Sequence, residues 1–119
     1  MPRKSAFEPM LYIVAESPAG PCKVGFGANP KSRLMDLQIG NPRQLTIASL
    51  WKRGDLSADR CERLMHHLLA KHAMRGEWFD ISVAEIEAIC SRQDMVKVEN
   101  TFDYTRKPRA GDTRLSWLM

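Results

Sequence analysis

The chain has 119 residues, 44% of them hydrophobic and 27% charged. That length and balance suit one globular domain with its own core, and exclude two ordinary domains, a wholly disordered chain, a collagen-like repeat and a long coiled coil. Eighteen Lys and Arg against fourteen Asp and Glu give a net charge of +4, which permits an anionic partner without naming one. Cys22, Cys61 and Cys90 are the three cysteines. They cannot all pair, and their wide, irregular spacing suggests reduced thiols in a cytoplasmic protein. The apolar stretch after the charged N-terminus is short and broken by Pro18, Gly20 and Pro21, a poor signal peptide. No uncharged run approaches the ~20 residues of a spanning helix, so no membrane is expected.

Residues 1–9 read as a loose lead-in. Residues 10–16 and 22–26 are short, β-rich and joined by the turn Ser17-Pro18-Ala19-Gly20-Pro21, which predicts an antiparallel hairpin. If Leu11, Ile13, Val24 and Phe26 face the core, then Tyr12, Lys23 and Gly25 share the other face. Asn29-Pro30 is a helix start, with Asn as N-cap and Pro in the first position. It predicts a helix over about 30–39, buried through Leu34 and Leu37 and ending near Gly40, with Arg33 one turn from its start. Residues 45–51 predict a third, central strand. Strict alternation puts Leu45, Ile47, Ser49 and Trp51 on one side, with Thr46, Ala48 and Leu50 on the other.

A second helix is expected to begin after Ser57 or Asp59, where Asp59-x-x-Glu62 has capping-box spacing. Its apolar stripe is Cys61, Leu64, Met65, Leu68, Leu69 and His72, and Gly76 is its expected stop. Glu62 and His66 sit together at i, i+4 on an adjoining face. Residues 77–80 are extended. Ser82-x-x-Glu85 caps a third helix over 83–91, buried through Ile86 and Ile89. From residue 92 the pattern weakens into an extension or tail over 92–119, with Trp117 and Leu118 able to dock it. The fold class is therefore α+β: a three-stranded antiparallel sheet flanked by about three helices. The charge is uneven, +5 over residues 1–54, −3 over 55–100 and +2 in the last 19 residues. The basic part holds Lys23 and Arg33.

Tyr12, Lys23, Arg33, Glu62 and His66 are ionisable or polar groups at the edges of apolar elements that pack around one sheet. They can serve phosphodiester hydrolysis. A guanidinium suits the charge that develops on an attacked phosphate. A lone carboxylate with waters and substrate oxygens suits Mg²⁺ or Mn²⁺. A phenol can handle the water if a cation lowers its pKa, and Lys23 on the same hairpin face is the expected cation. Each residue alone also has a plain reading, as a strand former, a solvated helix charge or an ordinary i, i+4 pair. His66, His67, His72 and Cys61 do not make a closed zinc site.

Leu11-Tyr12-Ile13, Lys23-Val24-Gly25, Asn29-Pro30-x-x-Arg33-Leu34-x-x-Leu37-Gln38, Asn41-Pro42, Glu62-x-x-x-His66 and Gly76-Glu77-Trp78-Phe79 follow in an order that resembles the GIY-YIG endonuclease superfamily, in its short single-domain phage and bacterial branch. The resemblance covers about residues 10–90. It implies a metal-dependent DNA endonuclease with Tyr12 activating or holding the attacking water, helped by Lys23, and Gly25 ending the second motif. It implies that Arg33 grips the scissile phosphate, Glu62 binds the metal and His66 lies near metal or phosphate. DNA is the implied partner, single- or double-stranded. Lys52, Arg53 and Arg75 are further expected backbone contacts. Glu77 is read as pinning its turn, and is the other carboxylate to test as a metal ligand. So small a domain has little surface for reading a long site, which favours low specificity or a homodimer. The sequence departs from the superfamily pattern at Leu11, Lys23 and Ala73, where Gly, Tyr and Arg are usual; Arg75 or His72 could stand in at the last. Those departures motivate the rival reading, a catalytically inactive DNA-binding or protein-interaction module on the same fold.

Overall fold

The computed structural model describes residues 8–100. The expected lead-in over its first residues, and the tail with Trp117 and Leu118, lie outside the described residues. The hairpin forms as the sequence predicts, with β1 over Met10–Ala15 and β2 over Cys22–Gly27. Tyr12 stands opposite Gly25 and Val14 opposite Lys23. Asn29 caps the first helix, α1 (Pro30–Gln38): its side-chain oxygen accepts from the Ser32 N–H at 3.1 Å, with Pro30 at the start. Gln38 then ties the following loop to the helix. Its amide donates to the Asn41 and Arg43 carbonyls at 3.2 and 2.7 Å, and its oxygen accepts from the Leu45 N–H at 2.8 Å. This clasp holds α1 against the start of β3 (Thr46–Lys52).

Helix α2 spans Ala58–Leu68. Ser57 is its N-cap residue rather than Asp59; the Ser57 hydroxyl donates to the Asp59 carboxylate at 2.6 Å, which leaves Glu62 outside any cap. The helix stops well before Gly76. It tightens into a 3₁₀ turn at Ala70–His72 and leads into a small hairpin, with Met74 N–H to Trp78 carbonyl and Asp80 N–H to His72 carbonyl, both 2.8 Å. Gly76 (φ +67°) serves the turn of that hairpin, where a left-handed residue is needed, rather than a helix end. Strand β4 is Trp78–Phe79. Helix α3 (Val83–Arg92) has the complete Ser82/Glu85 capping box, and β5 (Val96–Val98) follows.

The sheet has five strands, order β4-β2-β1-β3-β5, all pairs antiparallel. The expected three strands form its centre. The two added edge strands are two and three residues long, too short to show a period in sequence. The sheet continues past residue 92 through β5, and the Asn100 side chain donates to the Ile47 carbonyl at 2.8 Å.

Each face of the sheet carries its own apolar layer. On one, Leu11, Ile13, Val24 and Trp51 meet Cys61, Met65 and Leu69 of the α2 segment and Ile86 and Cys90 of α3. On the other, Tyr12, Val14, Ile47 and Leu50 meet Leu34 of α1. Fully burying a Leu, Ile or Met side chain contributes about 1.5–3 kcal/mol, so the α2/α3 layer carries more of the stability than the single short helix opposite. Strict alternation fails in β3. A bulge pairs Ile13 with Ser49 but Val14 with Ile47, so Ala48 is passed over. Leu45 and Ile47 therefore join the α1 layer with Leu50, while Ala48 and Trp51 face α2 and α3. Ser49 lies on the Trp51 side and accepts the buried indole N–H at 2.8 Å. Phe26, expected in the core, is 42% exposed, because β4 pairs only with Cys22 and Lys23 and leaves the end of β2 at an open corner.

Candidate active site at the edge of β2

Tyr12 is fixed by its neighbours across the strand. A Cβ on Gly25 would lie 2.7 Å from Cε1, Cζ and Oη of the Tyr12 ring, and one on Gly27 would lie 3.8 Å from Cε2. The phenol thus lies across two residues without side chains, which gives the alternation of glycines in Cys-Lys-Val-Gly-Phe-Gly a steric reason. Gly25→Ala is expected to destabilise the fold by about 1–3 kcal/mol, the usual cost of overpacking. It should also displace the Tyr12 ring, since rigid backbone cannot yield. Urea unfolding and the near-ultraviolet tyrosine signal check this.

Arg33 projects from the first turn of α1, is solvent-exposed, and has no carboxylate in ion-pair range among the described residues. Burial pushes the Tyr12 hydroxyl above its ordinary pKa; the Arg33 guanidinium, by charge and a side-chain hydrogen bond, opposes that push. Tyr12 is therefore a neutral phenol at pH 7. The cation acting on it is Arg33, where the sequence suggested Lys23.

Lys23 is committed elsewhere. Its side chain is 7% exposed, and Nζ donates to Glu77 Oε1 at 2.8 Å. Glu77 precedes Trp78, and Trp78 is the register partner of Lys23, so β4 pairing delivers the carboxylate to the ammonium. Hairpin parity put Lys23 on the Tyr12 face, but its partner lies 54 residues away and has no local signature. The pair is asymmetric, since the Glu77 side chain is 53% exposed. Lys23→Met, which keeps the buried stem and lets Glu77 rehydrate, is expected to change stability by under ~1 kcal/mol. Glu77→Ala strands a buried ammonium and should cost about 1–3 kcal/mol. Urea midpoints compare the two.

Glu62 and His66 approach the same strand edge from α2. His66 Nε2 lies 3.0 Å from the Val24 carbonyl, on the part of β2 that β4 does not reach, and the ring packs edge-on against Phe79 at 5.2 Å. Nε2 therefore carries the proton in the neutral ring and Nδ1 is left to accept. Glu62 Oε2 stands 4.0 Å from His66 Nε2, and its side chain is 18% exposed. Burial raises the Glu62 carboxyl above its ordinary value; His66 and Lys23 pull it down and Glu77 pushes it up. Tyr12 in turn feels the charges of Glu62 and Glu77. Tyr12, Lys23, Arg33, Glu62 and His66 thus share one electrostatic neighbourhood, with Glu77 as a sixth member.

Lys52, Arg53 and Arg75 stand apart from these contacts. Lys52 pairs with Glu8 at 2.9 Å. Arg53 grips Asp55 through Nε at 2.7 Å and Nη2 at 3.2 Å, and donates to the Gln93 carbonyl. Lys52 and Arg53 line a separate depression with Leu56 and Cys61. Arg75 is exposed on the β4 hairpin turn, two residues before Glu77.

Among the described residues no group of three or more His, Cys, Asp or Glu is arranged to hold a metal. Glu62, half-buried and without a short hydrogen bond, suits the looser demand of Mg²⁺ or Mn²⁺, one or two carboxylates with the remaining positions left to water and phosphate.

A five-stranded antiparallel sheet with helices on both faces defines a small α+β domain, with a phenol, guanidinium, imidazole and carboxylates in one electrostatic neighbourhood beside β2. The chain belongs to the T5orf172 domain family, whose model matches residues 10–94. No curated protein and no solved structure matches the chain. No helix among the described residues is long and apolar enough to cross a membrane.

Proposed function

We propose that this chain is a metal-dependent DNA endonuclease of the GIY-YIG type, hydrolysing phosphodiester bonds. The observation that carries the reading is the electrostatic neighbourhood shared by Tyr12 on β1, Arg33 on α1, and Glu62 and His66 on α2, three elements packed beside β2. T5orf172 membership supports it, because that domain is associated with nucleases and DNA interaction. Glu62 is the residue to hold Mg²⁺ or Mn²⁺, which when bound supplies positive charge for the phosphate oxygens and a water of lowered pKa. The chain's own residues do the rest. Arg33, paired with no carboxylate among the described residues, binds two oxygens of the scissile phosphate through its planar fork. His66, oriented by the Val24 carbonyl, presents Nδ1 to the reacting groups. Tyr12, a neutral phenol seated on Gly25, orients the attacking water by hydrogen bonding.

The test is incubation of the protein with supercoiled plasmid and with single-stranded DNA, in Mg²⁺, in Mn²⁺ and in EDTA. Cleavage that needs the metal and disappears in Glu62→Ala supports the proposal. DNA binding without cleavage, unchanged by EDTA and by Glu62→Ala, would instead establish the inactive binding module that Leu11, Lys23 and Ala73 motivate.

A further inference from the structure

Lys23, Arg33 and His66 are the basic groups that border this site, and one of them, Lys23, already holds an anion. Lys23 Nζ is 2.8 Å from Glu77 Oε1. His66 packs on Phe79, two residues beyond Glu77. The Glu77 carboxyl is held below its ordinary range first by the Lys23 hydrogen bond, with the charges of His66 and Arg33 adding to it. Its side chain is half exposed, so it can rotate into water without disturbing the sheet. Lys23 cannot leave, because it is buried in the strand.

We infer that Glu77 is a tethered stand-in for the substrate: its carboxylate occupies the place of a DNA phosphate oxygen on Lys23 and must swing outward when a phosphodiester enters. This rests on the nuclease reading of the site and adds to it the group that fills the phosphate subsite at rest. The physical reason is economy of charge. A buried ammonium without an acceptor is costly, and a half-exposed carboxylate satisfies it while remaining displaceable. A phosphate oxygen, also anionic, makes the same charge-assisted hydrogen bond. Entry of DNA then exchanges one anion for another on Lys23 and exposes Glu77 fully to water.

The experiment measures binding of a fluorescein-labelled oligonucleotide, single-stranded and duplex, by anisotropy in EDTA across a salt series, so that cleavage plays no part. Glu77→Gln keeps an oxygen for Lys23 but removes the charge that holds it. It is expected to tighten binding about five- to ten-fold and to steepen the dependence of log K on log salt by about one unit, the signature of one newly available cation. Asp80→Asn removes the same charge from a nearby exposed position and is expected to change the slope little. In a Lys23→Met background, which remains folded if Glu77 rehydrates as above, Glu77→Gln should give no gain. Weaker binding in Glu77→Gln, or an equal gain in Asp80→Asn, or a gain that persists without Lys23, overturns the inference while leaving the nuclease proposal standing if wild-type cleavage still needs Arg33. Absence of any wild-type binding overturns both.

Discussion

Arg33→Ala is expected to slow DNA cleavage by about 10²–10³-fold, the usual loss when one preorganised donor to developing charge is removed, while leaving stability nearly unchanged. The two halves of that expectation have separate causes. Arg33 is exposed, pairs with no carboxylate within the described residues, and sits on a helix where Ala is the better helix former. No ion pair among the described residues depends on its charge, which acts on Tyr12 and Glu77. The Tyr12 phenol loses a neighbouring charge but remains clamped over Gly25. Arg33→Lys should recover only part of the rate, because an ammonium keeps the charge and loses the fork. Single-turnover cleavage rates set beside urea midpoints decide the matter. An unchanged rate in Arg33→Ala would remove the guanidinium from the chemistry.

Glu62→Gln is expected to abolish metal-dependent cleavage, by at least about 10³-fold given the several kcal/mol a bound metal supplies, and at the same time to make the protein more stable at neutral pH. Burial raises the Glu62 carboxyl above its ordinary value of 4.5. The folded state therefore binds that proton more tightly than the unfolded chain does, so the ionised side chain opposes folding once the pH exceeds its raised folded pKa. Below the ordinary glutamate pKa of about 4.3 both states are protonated and the opposition is gone. Gln copies the neutral form. The stability gain should be full at pH 7 and shrink toward zero as the pH falls through the raised pKa to below 4. Thermal unfolding from pH 3.5 to 8 measures it. A carboxylate kept at a cost to the fold is what a functional residue looks like, whereas a Glu62→Gln variant that is less stable at pH 7 would mark the side chain as structural.

Legibility in the sequence followed the range of the forces involved. The Asn29-Pro30 start of α1, the Ser82/Glu85 box and the β1–β2 hairpin rest on contacts within a few residues, and each was readable from spacing. The placement of Tyr12 with Lys23 and Gly25 followed from period-two alternation in a regular hairpin. Alternation misled in β3, because the bulge beside Ser49 has no composition cue and reverses every side chain beyond it. The end of α2 was misplaced because the helix stops without a glycine, passing through a 3₁₀ turn into the β4 hairpin. The site shows the same division. The resemblance singled out Tyr12, Lys23, Arg33, Glu62 and His66, groups drawn from elements far apart in the chain whose charges act on one another in the structure. The commitment of Lys23 to Glu77 depends on which strand lies next to β2, a matter of tertiary assembly that no window of sequence contains.

All three thiols lie in the α2/α3 layer and none beside α1. Burial pushes Cys22 up to about 11 and Cys90 up to about 12, so neither ionises appreciably at neutral pH. The native protein should thus resist alkylation, and each thiol becomes reactive only when its own side of the sheet opens. Iodoacetamide pulses resolved by mass would therefore time the opening of the α2/α3 layer while ignoring fraying of the α1 side, a built-in stopwatch for whether nucleic acid loosens the thicker side of the sheet.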